Sequence, residues 1–223
     1  MAVLIDSVVC LVMYLVALKV NRKRPLKIVF RFDDPSISKP LLPLTVGYYT
    51  VMYGTSIGAM IILLILELVM ATHVHRLYFK YLFGWLVNCN INVFVKMFVG
   101  RPRPNFLAMN RWRGTPVACN GFSDEKSLPE PKTELEKLLS SESGKSFFSA
   151  HAVLGTYAGS FIAIYLWSEF ARTPLTLVAC LVAILAGMYP GLTQWKNYWH
   201  HWDDVAFGYL IAFTTSYMCY FYL

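Results

Sequence analysis

Residues 174–192 read PLTLVACLVAILAGMYPGL, an apolar run without a charged side chain, and runs of this kind decide the fold class. A helix needs about 20 such residues to cross the hydrocarbon core of a bilayer, which is about 30 Å thick. Inside that core each backbone N–H and C=O must be bonded within the protein, and a helix achieves this within one segment. The run therefore predicts a membrane-spanning helix.

Similar runs recur along the chain. Its 223 residues are 57% hydrophobic and 15% charged, with a mean hydropathy of +0.48, which lies outside the composition of ordinary soluble domains. No run shows the strict alternation of a membrane barrel. We expect an all-α polytopic membrane protein with a bundle of six transmembrane helices, near 2–20, 44–71, 77–99, 148–169, 174–192 and 204–223.

The long connection over about 105–147 differs from the rest of the chain. Prolines open it, and a Ser/Glu/Lys-rich stretch follows from 123 to 145, which favours a mobile extramembrane loop. No internal repeat divides the chain, so we expect a single membrane domain over 1–223. The net charge is +7, but the basic clusters at 22–24 and 101–113 flank predicted spans. Such clusters indicate anionic lipid at headgroup level as the partner, not nucleic acid.

Three polar clusters lie at the ends of predicted spans, at 96–104, 145–151 and 193–204. Polar groups at membrane depth are functional candidates. In the first cluster, Lys96 offers a point charge and Arg103 a planar fork, and both can neutralise a phosphate dianion. The alternative is that both only anchor a helix end at the interface.

Ser149 and His151 lie in the second cluster, where the fourth predicted span begins. The free N–H groups and the positive dipole end of a helix N-terminus favour an anion there. Ser149 could instead be a helix cap and nothing more, since serine is a favoured capping residue.

His200 and Asp204 lie four residues apart in the third cluster, a spacing that predicts one helical face and a carboxylate that orients the imidazole. An oriented neutral histidine can act as a nucleophile, while a second histidine such as His151 can protonate a leaving oxygen. One alternative is a polar cluster that only caps the last span. A metal site is disfavoured, because two adjacent histidines and two adjacent aspartates do not give ligand spacing for tetrahedral zinc.

Together the clusters resemble the ordered motifs Lys-x6-Arg-Pro, Ser-Gly-His and Ser-Arg-x5-His-x3-Asp of the type 2 phosphatidic acid phosphatase superfamily. Residues 100–107, 146–151 and 189–202 are most similar to its animal lipid phosphate phosphatase branch, and 33–37 resemble the first loop of that branch. The resemblance covers nearly the whole chain, with a phosphatase core at about 45–223.

The resemblance implies a role for each matching residue. His200 would be the nucleophile that forms a phosphohistidine, Asp204 would orient it, and His151 would protonate the departing alkoxide. Four residues would hold the phosphate: Lys96, Arg103, Ser149 and Gln194. The resemblance implies no metal and no cofactor.

The implied activity is hydrolysis of phosphate monoesters of phosphatidate, lysophosphatidate, sphingosine phosphate or ceramide phosphate, in phospholipid metabolism and lipid signalling. The implied partners are the lipid phosphate substrate and membrane lipids, and a homo-oligomer is compatible with the sequence. The family places the site on the extracellular or lumenal side, and we expect the plasma membrane. The positive-inside tendency opposes this orientation, because the basic residues of 21–43 lie on the same side as the motifs. We follow the family, since Lys and Arg residues that bind the substrate add to the number of basic residues on that side without reflecting the orientation.

Three residues depart from the family pattern. Gln194 replaces a phosphate-binding arginine, while Thr193 and Ala150 replace the motif serine and glycine. A neutral amide cannot supply the missing charge, which matters for a transferring phosphoryl group. The alternative function is therefore a catalytically weakened or inactive lipid-binding or signalling homologue. A channel is a third interpretation, for which only Asn88, Asn90 and Asn92 supply polar residues within a span.

Overall fold

The chain folds into long helices joined at alternating ends, in a computed structural model that describes residues 2–23, 25–26, 28–70, 74–110, 123–124, 128 and 130–223. The helices are α1 (Ala2–Asn21), α2 (Tyr48–Tyr53), α3 (Ala59–Met70), α4 (Val74–Val99), α5 (Phe106–Met109), α6 (Glu134–Ser143), α7 (Ala150–Glu169), α8 (Pro174–Lys196) and α9 (Trp202–Tyr222). A π-helical turn, Gly54–Gly58, joins α2 to α3 without a break. Two short antiparallel strands, β1 (Val29–Phe30) and β2 (Ser123–Asp124), pair outside the bundle.

The predicted helical fold is confirmed, and the described residues contain four helical segments long and apolar enough to cross a bilayer. These are Tyr48–Leu68, Arg76–Val99, Ala150–Glu169 and Pro174–Lys196. Helices α1 and α9 occupy the first and sixth predicted spans but are not among these four. The number of six spans therefore stays a prediction.

Helix α8 shows why the molecule needs lipid around it. Its most apolar window has a mean hydropathy of 2.1, yet only 11% of that window is buried within the protein. Leu175, Val182 and Leu185 are among the side chains that it exposes. A continuous apolar surface of this kind is favourable only against hydrocarbon. The chain is an integral membrane protein.

Helix α7 lies at the centre of the bundle, with 78% of its apolar window buried. It packs closely on α8, because glycines face each other where the two backbones meet. A Cβ added to Gly187 would lie 2.5 Å from the Gly155 carbonyl oxygen and 3.0 Å from the Gly159 Cα. Small residues allow this close approach between membrane helices, where backbone packing replaces the hydrophobic effect as the source of attraction.

The connections that carry the three polar clusters meet at one end of the bundle, as the sequence predicted. Trp199 donates from its indole to the Leu42 carbonyl at 2.9 Å, which ties the α8–α9 connection to the segment before α2. Lys145, just before α7, donates to the Asn21 carbonyl at the end of α1 at 3.0 Å.

The predicted extramembrane loop over 105–147 contains two helices, α5 and α6, that the sequence analysis did not predict. A capping box starts α6: the Thr133 hydroxyl accepts from the Glu136 N–H, and the Glu136 carboxylate accepts from the Thr133 N–H. Residues 111–122, 125–127 and 129 of this loop lie outside the described residues, as do Arg24 of the first basic cluster and Arg111 and Arg113 of the second. The mobility of the loop stays a prediction.

Candidate active site

His200 lies in the connection between α8 and α9, and the prediction that it shares a helical face with Asp204 is wrong. Helix α9 begins at Trp202, because His201 is its N-cap and has extended backbone angles of φ −71° and ψ 160°. His200 is held instead by the end of α8, whose Gln194 carbonyl accepts from the backbone N–H groups of Trp199 at 2.9 Å and His200 at 3.3 Å. This turn buries His200 to 2% exposure.

The tautomer of His200 follows from its neighbours. Its Nε2 lies 3.1 Å from an Arg103 N–H group, and because a guanidinium can only donate, Nε2 must be the acceptor. The ring proton of the neutral form is therefore on Nδ1, which faces an Asp204 oxygen at 3.7 Å, longer than a hydrogen bond. Burial and the charge of Arg103 hold the pKa of His200 well below its usual value of 6.5, although Asp204 opposes them. The Nε2 lone pair, which accepts this hydrogen bond, becomes the nucleophile of the neutral imidazole when the Arg103 N–H turns to a substrate oxygen.

Asp204 is fully buried behind His200 and is the acceptor of several donors. Its carboxylate accepts from the Ser146 hydroxyl at 2.6 Å, the His201 N–H at 2.9 Å and an Arg101 N–H at 2.7 Å. The Nδ1 of His201 lies at 3.2 Å, so Asp204 is closer to His201 than to His200. The alternative of a polar cluster that caps the last helix is thus observed for His201 and Asp204. It does not exclude a second role for Asp204 beside His200.

No role at this carboxylate was predicted from the sequence for Arg101, Ser146 or His201. Arg101 and Ser146 belong to the stretches that carry the family resemblance, at 100–107 and 146–151, and His201 belongs to 189–202. Their position in those stretches was the only signal for them, since local spacing does not show which residues reach Asp204.

Arg103 is held rigidly next to His200. Its Nε donates to the Glu142 carbonyl at 2.8 Å and a terminal nitrogen donates to the Trp199 carbonyl at 3.0 Å. Its other terminal nitrogen lies 3.5 Å from the Glu142 carboxylate, which also pairs with Lys145 at 2.8 Å. Burial raises the pKa of Glu142, but Arg103 and Lys145 outweigh it and hold that pKa below its usual value. Glu142 was not predicted as a site residue.

Lys96, in the last turn of α4, is 8% exposed and forms no ion pair with any described residue. Its ammonium is therefore available to an anion. Gln194, near the end of α8, is 1% exposed, and its Nε2 has no hydrogen-bond partner among the described residues. A buried donor without a partner is costly in the empty protein, and a bound anion would satisfy it.

Ser149 and His151 lie at the start of α7, as predicted. Ser149 is the N-cap, and its hydroxyl accepts from the Ala152 N–H at 3.3 Å, so its capping role is observed. The Nε2 of His151 lies 3.2 Å from the Val46 carbonyl oxygen, and since a carbonyl can only accept, this nitrogen carries a proton. This hydrogen bond fixes the orientation of the His151 ring at the wall of the cavity described below.

One cavity of about 400 Å³ brings most of the predicted residues together. Five predicted site residues line it: Lys96, Arg103, His151, Gln194 and His200. Ser149 and Asp204 are buried and are not part of its wall. Fixed cations at one end, a neutral histidine whose Nε2 carries no proton and a second histidine can stabilise and transfer a phosphoryl group. Within the described part of the chain, no group of three or more His, Cys, Asp or Glu side chains is arranged to hold a metal ion.

The chain is similar to known membrane phosphatases. A family model described as PAP2 superfamily matches residues 77–223. A mouse protein named phospholipid phosphatase 2 is 29% identical over 210 residues, covering 83% of this chain and 72% of the relative, and the human protein of that name is 29% identical over 215 residues, covering 83% and 69%. Lipid phosphate phosphatase 1 of Arabidopsis thaliana is 30% identical over 155 residues, covering 62% and 42%. No solved structure matches the chain.

Proposed function

Because this chain belongs to the PAP2 superfamily, we propose that it is a membrane phosphatase that hydrolyses phosphate monoesters of lipids. The observation that carries the proposal is the state of His200. Its Nε2 accepts from Arg103 and its Nδ1 faces Asp204, at the charged end of a cavity that Lys96 also lines. A phosphate bound by Arg103 and Lys96 would take over the Arg103 N–H and so release the Nε2 lone pair for attack at phosphorus.

The proposed reaction has two steps. In the first, Nε2 of His200 attacks phosphorus, the P–O ester bond breaks, and protonated His151 gives its proton to the departing alkoxide. The imidazolium of the phosphohistidine is stabilised by Asp204, which lies 3.7 Å from Nδ1. In the second step His151 takes a proton from water, the hydroxide attacks phosphorus, and the N–P bond breaks to release phosphate and neutral His200.

Lys96, Arg103 and Gln194 would hold the phosphate oxygens, with Ser149 fixing the start of α7 beside them. Asp204 acts through its contact with His200, while Arg101 and Ser146 hold Asp204 in place. The proposed chemistry needs no metal or cofactor, because the attacking nitrogen and the proton donor are both side chains.

Phosphatidate, lysophosphatidate, sphingosine phosphate and ceramide phosphate are the proposed substrates, in keeping with the relatives named phospholipid phosphatase and lipid phosphate phosphatase. We place the protein in the plasma membrane with the cavity on the extracellular or lumenal side. Protease digestion of sealed vesicles tests the orientation: cleavage of the 105–147 connection only from the cytosolic face would reverse it.

A second candidate function rests on Gln194. This neutral residue stands where the family motif has an arginine, and it lines the cavity beside the cations. A homologue that binds lipid phosphate but turns it over slowly or not at all would keep Lys96 and Arg103 and dispense with the third charge. The Gln194 Nε2, which has no hydrogen-bond partner among the described residues, is a donor for a phosphate oxygen in either function.

The deciding experiment measures phosphate release from phosphatidate and sphingosine phosphate by the purified protein in detergent, with a chelator present. Release by the wild type that His200→Ala abolishes supports the phosphatase. A matched pair sharpens it: Asp204→Asn should abolish release and Asp203→Asn should retain it, because Asp204 is buried beside His200 while the Asp203 side chain is 41% exposed. A silent wild type together with an active Gln194→Arg would instead favour the binding homologue.

A further inference from the structure

The cavity extends far beyond the phosphate-binding end. Helix α4 lines it with Trp85, Cys89, Asn92, Val93 and Lys96, residues whose spacing puts them on one face of the helix. Lys96 and Trp85 are separated by eleven residues in this sequence. At about 1.5 Å per residue this face extends about 16 Å away from the charged end.

The walls of this extension are apolar. Helix α1 contributes Ala17 and Leu18, α2 contributes Met52, and α7 contributes Leu154. The aromatic rings of Tyr14, Tyr48 and Tyr49 complete it. An apolar channel that leads from two fixed cations has the shape and polarity of a ligand with a charged head and a hydrocarbon tail.

Of the α4 residues that line the cavity, Trp85 is the farthest from Lys96. Its indole N–H donates to the Thr55 hydroxyl at 3.0 Å, and Thr55 belongs to the π-helical turn between α2 and α3. One turn further along α4, Tyr81 donates from its hydroxyl to the Thr55 carbonyl. Tyr81 and Thr55 are buried but do not line the cavity. Hydrogen bonds between α4 and the π turn therefore fix the position of Trp85 at the far end of this face.

We propose that this extension binds one hydrocarbon chain of the lipid phosphate and that Trp85 sets the longest chain it accepts. The inference rests on the proposed function and deepens it: the favoured substrates are phosphate monoesters whose single chain, or one of two chains, fits between Lys96 and Trp85. Trp85 is then a specificity-determining residue far from the reacting atoms.

Chain-length dependence is the measurable consequence. Each methylene moved from water into an apolar site favours binding about fourfold, the equivalent of about 0.8 kcal/mol, whereas a chain taken from a micelle or bilayer is already in hydrocarbon and gains little. For lysophosphatidates supplied as monomers, below the concentration at which they form micelles, kcat/KM should rise with acyl length by at most this factor per methylene until the chain reaches Trp85, and then level off or fall.

Opposite substitutions on α4 should move that optimum in opposite directions. Trp85→Ala deepens the channel and should shift the optimum to longer chains, whereas Cys89→Phe fills it part-way and should shift the optimum to shorter ones. Phe94→Ala is the matched control, because Phe94 is a half-exposed side chain on α4 that does not line the cavity. Retained turnover of the shortest substrate shows that each variant is folded. An unchanged optimum in both folded variants overturns the proposal.

A binding measurement separates failure of this inference from failure of the proposed function. Trp85 lines the cavity, and its fluorescence can be isolated as the difference between the wild type and Trp85→Phe. A lysophosphatidate that carries bromine near the end of its acyl chain should quench this fluorescence, and inorganic phosphate should not. Quenching without any phosphate release keeps the chain-binding channel and refutes the phosphatase. Phosphate release without quenching refutes the channel.

Discussion

Replacing Gln194 by methionine should stabilise the empty protein and weaken its activity. The Gln194 side chain is buried, its Nε2 has no partner among the described residues, and it lines the proposed phosphate site. Methionine has a similar shape and no donor. The substitution therefore removes an unsatisfied group from the empty protein and a phosphate ligand from the substrate complex.

The size of both effects follows from the hydrogen bond. A buried donor without a partner costs about 1–3 kcal/mol, and removing it should raise the thermal midpoint by about 2–4 °C per kcal/mol in a chain of this length. A hydrogen bond to a charged group contributes about 1.5–3 kcal/mol, so its loss should lower kcat/KM by about 10- to 150-fold.

The assay pairs thermal unfolding in detergent with phosphate release, and Asn88→Leu is its control. Asn88 is also a buried amide, but its Nδ2 donates to the Gly84 carbonyl at 2.8 Å and to the Thr215 hydroxyl at 2.9 Å. Asn88→Leu should lower the thermal midpoint, because it removes satisfied hydrogen bonds. If Gln194→Met lowers the midpoint in the same way, or leaves phosphate release unchanged, the reasoning about Gln194 is refuted.

Three further predictions concern charge, protonation and packing. Glu142→Gln should lower the KM for lipid phosphate about three- to tenfold, because it removes a carboxylate that competes with the phosphate for Arg103. The control Glu134→Gln, on the exposed side of α6, should leave the KM unchanged, and a raised KM in Glu142→Gln would contradict the prediction. Because the pKa of His200 in the fold lies well below 6.5, its NMR signal should stay that of a neutral ring down through pH 6.5. Below pH 6.5 only the unfolded chain then binds a proton at His200, so the free energy of unfolding should fall as pH drops. His200→Gln should make that fall smaller, and an equal slope of the free energy of unfolding against pH in both proteins would refute the prediction. Gly187→Ala should lower the free energy of unfolding by about 1–3 kcal/mol through overpacking between α7 and α8. Gly54→Ala should not lower it, because a Cβ at that position meets nothing within 4 Å, and chemical denaturation measures both effects.

The positions of the long helices could be predicted from the sequence because the signal for them is local. An apolar run of membrane length must form its hydrogen bonds within itself, so the run at 174–192 became α8 and that at 148–169 became α7. Helix ends were less predictable. The spacing of His200 and Asp204 predicted that both lie on one helical face, but the cap formed by His201 and Asp204 starts α9 at Trp202 and leaves His200 outside the helix.

Helix α6 shows where local signals failed. Ser and Glu make up most of its polar residues, a composition typical of a solvated loop, and this polarity concealed the capping box at Thr133. Its packing is also long-range: Leu138, Leu139 and Glu142 line a cavity whose other walls include α1, α2, α4 and α7. No pattern within α6 indicates those neighbours.

The sequence by itself determined which residues could do chemistry, since phosphate binding and nucleophilic attack need particular side chains, and Lys96, Arg103, His151 and His200 stand in the family order. Only the tertiary structure decided their states. Arg103, which sets the tautomer of His200, lies 97 positions away from it, and Arg101 and Ser146, which hold Asp204, also come from distant segments. The Gln194 Nε2 is left without a partner among the described residues by the same packing. Hydrogen bonds and desolvation act over a few ångströms of space, and the packing of helices alone determines which distant residues come that close.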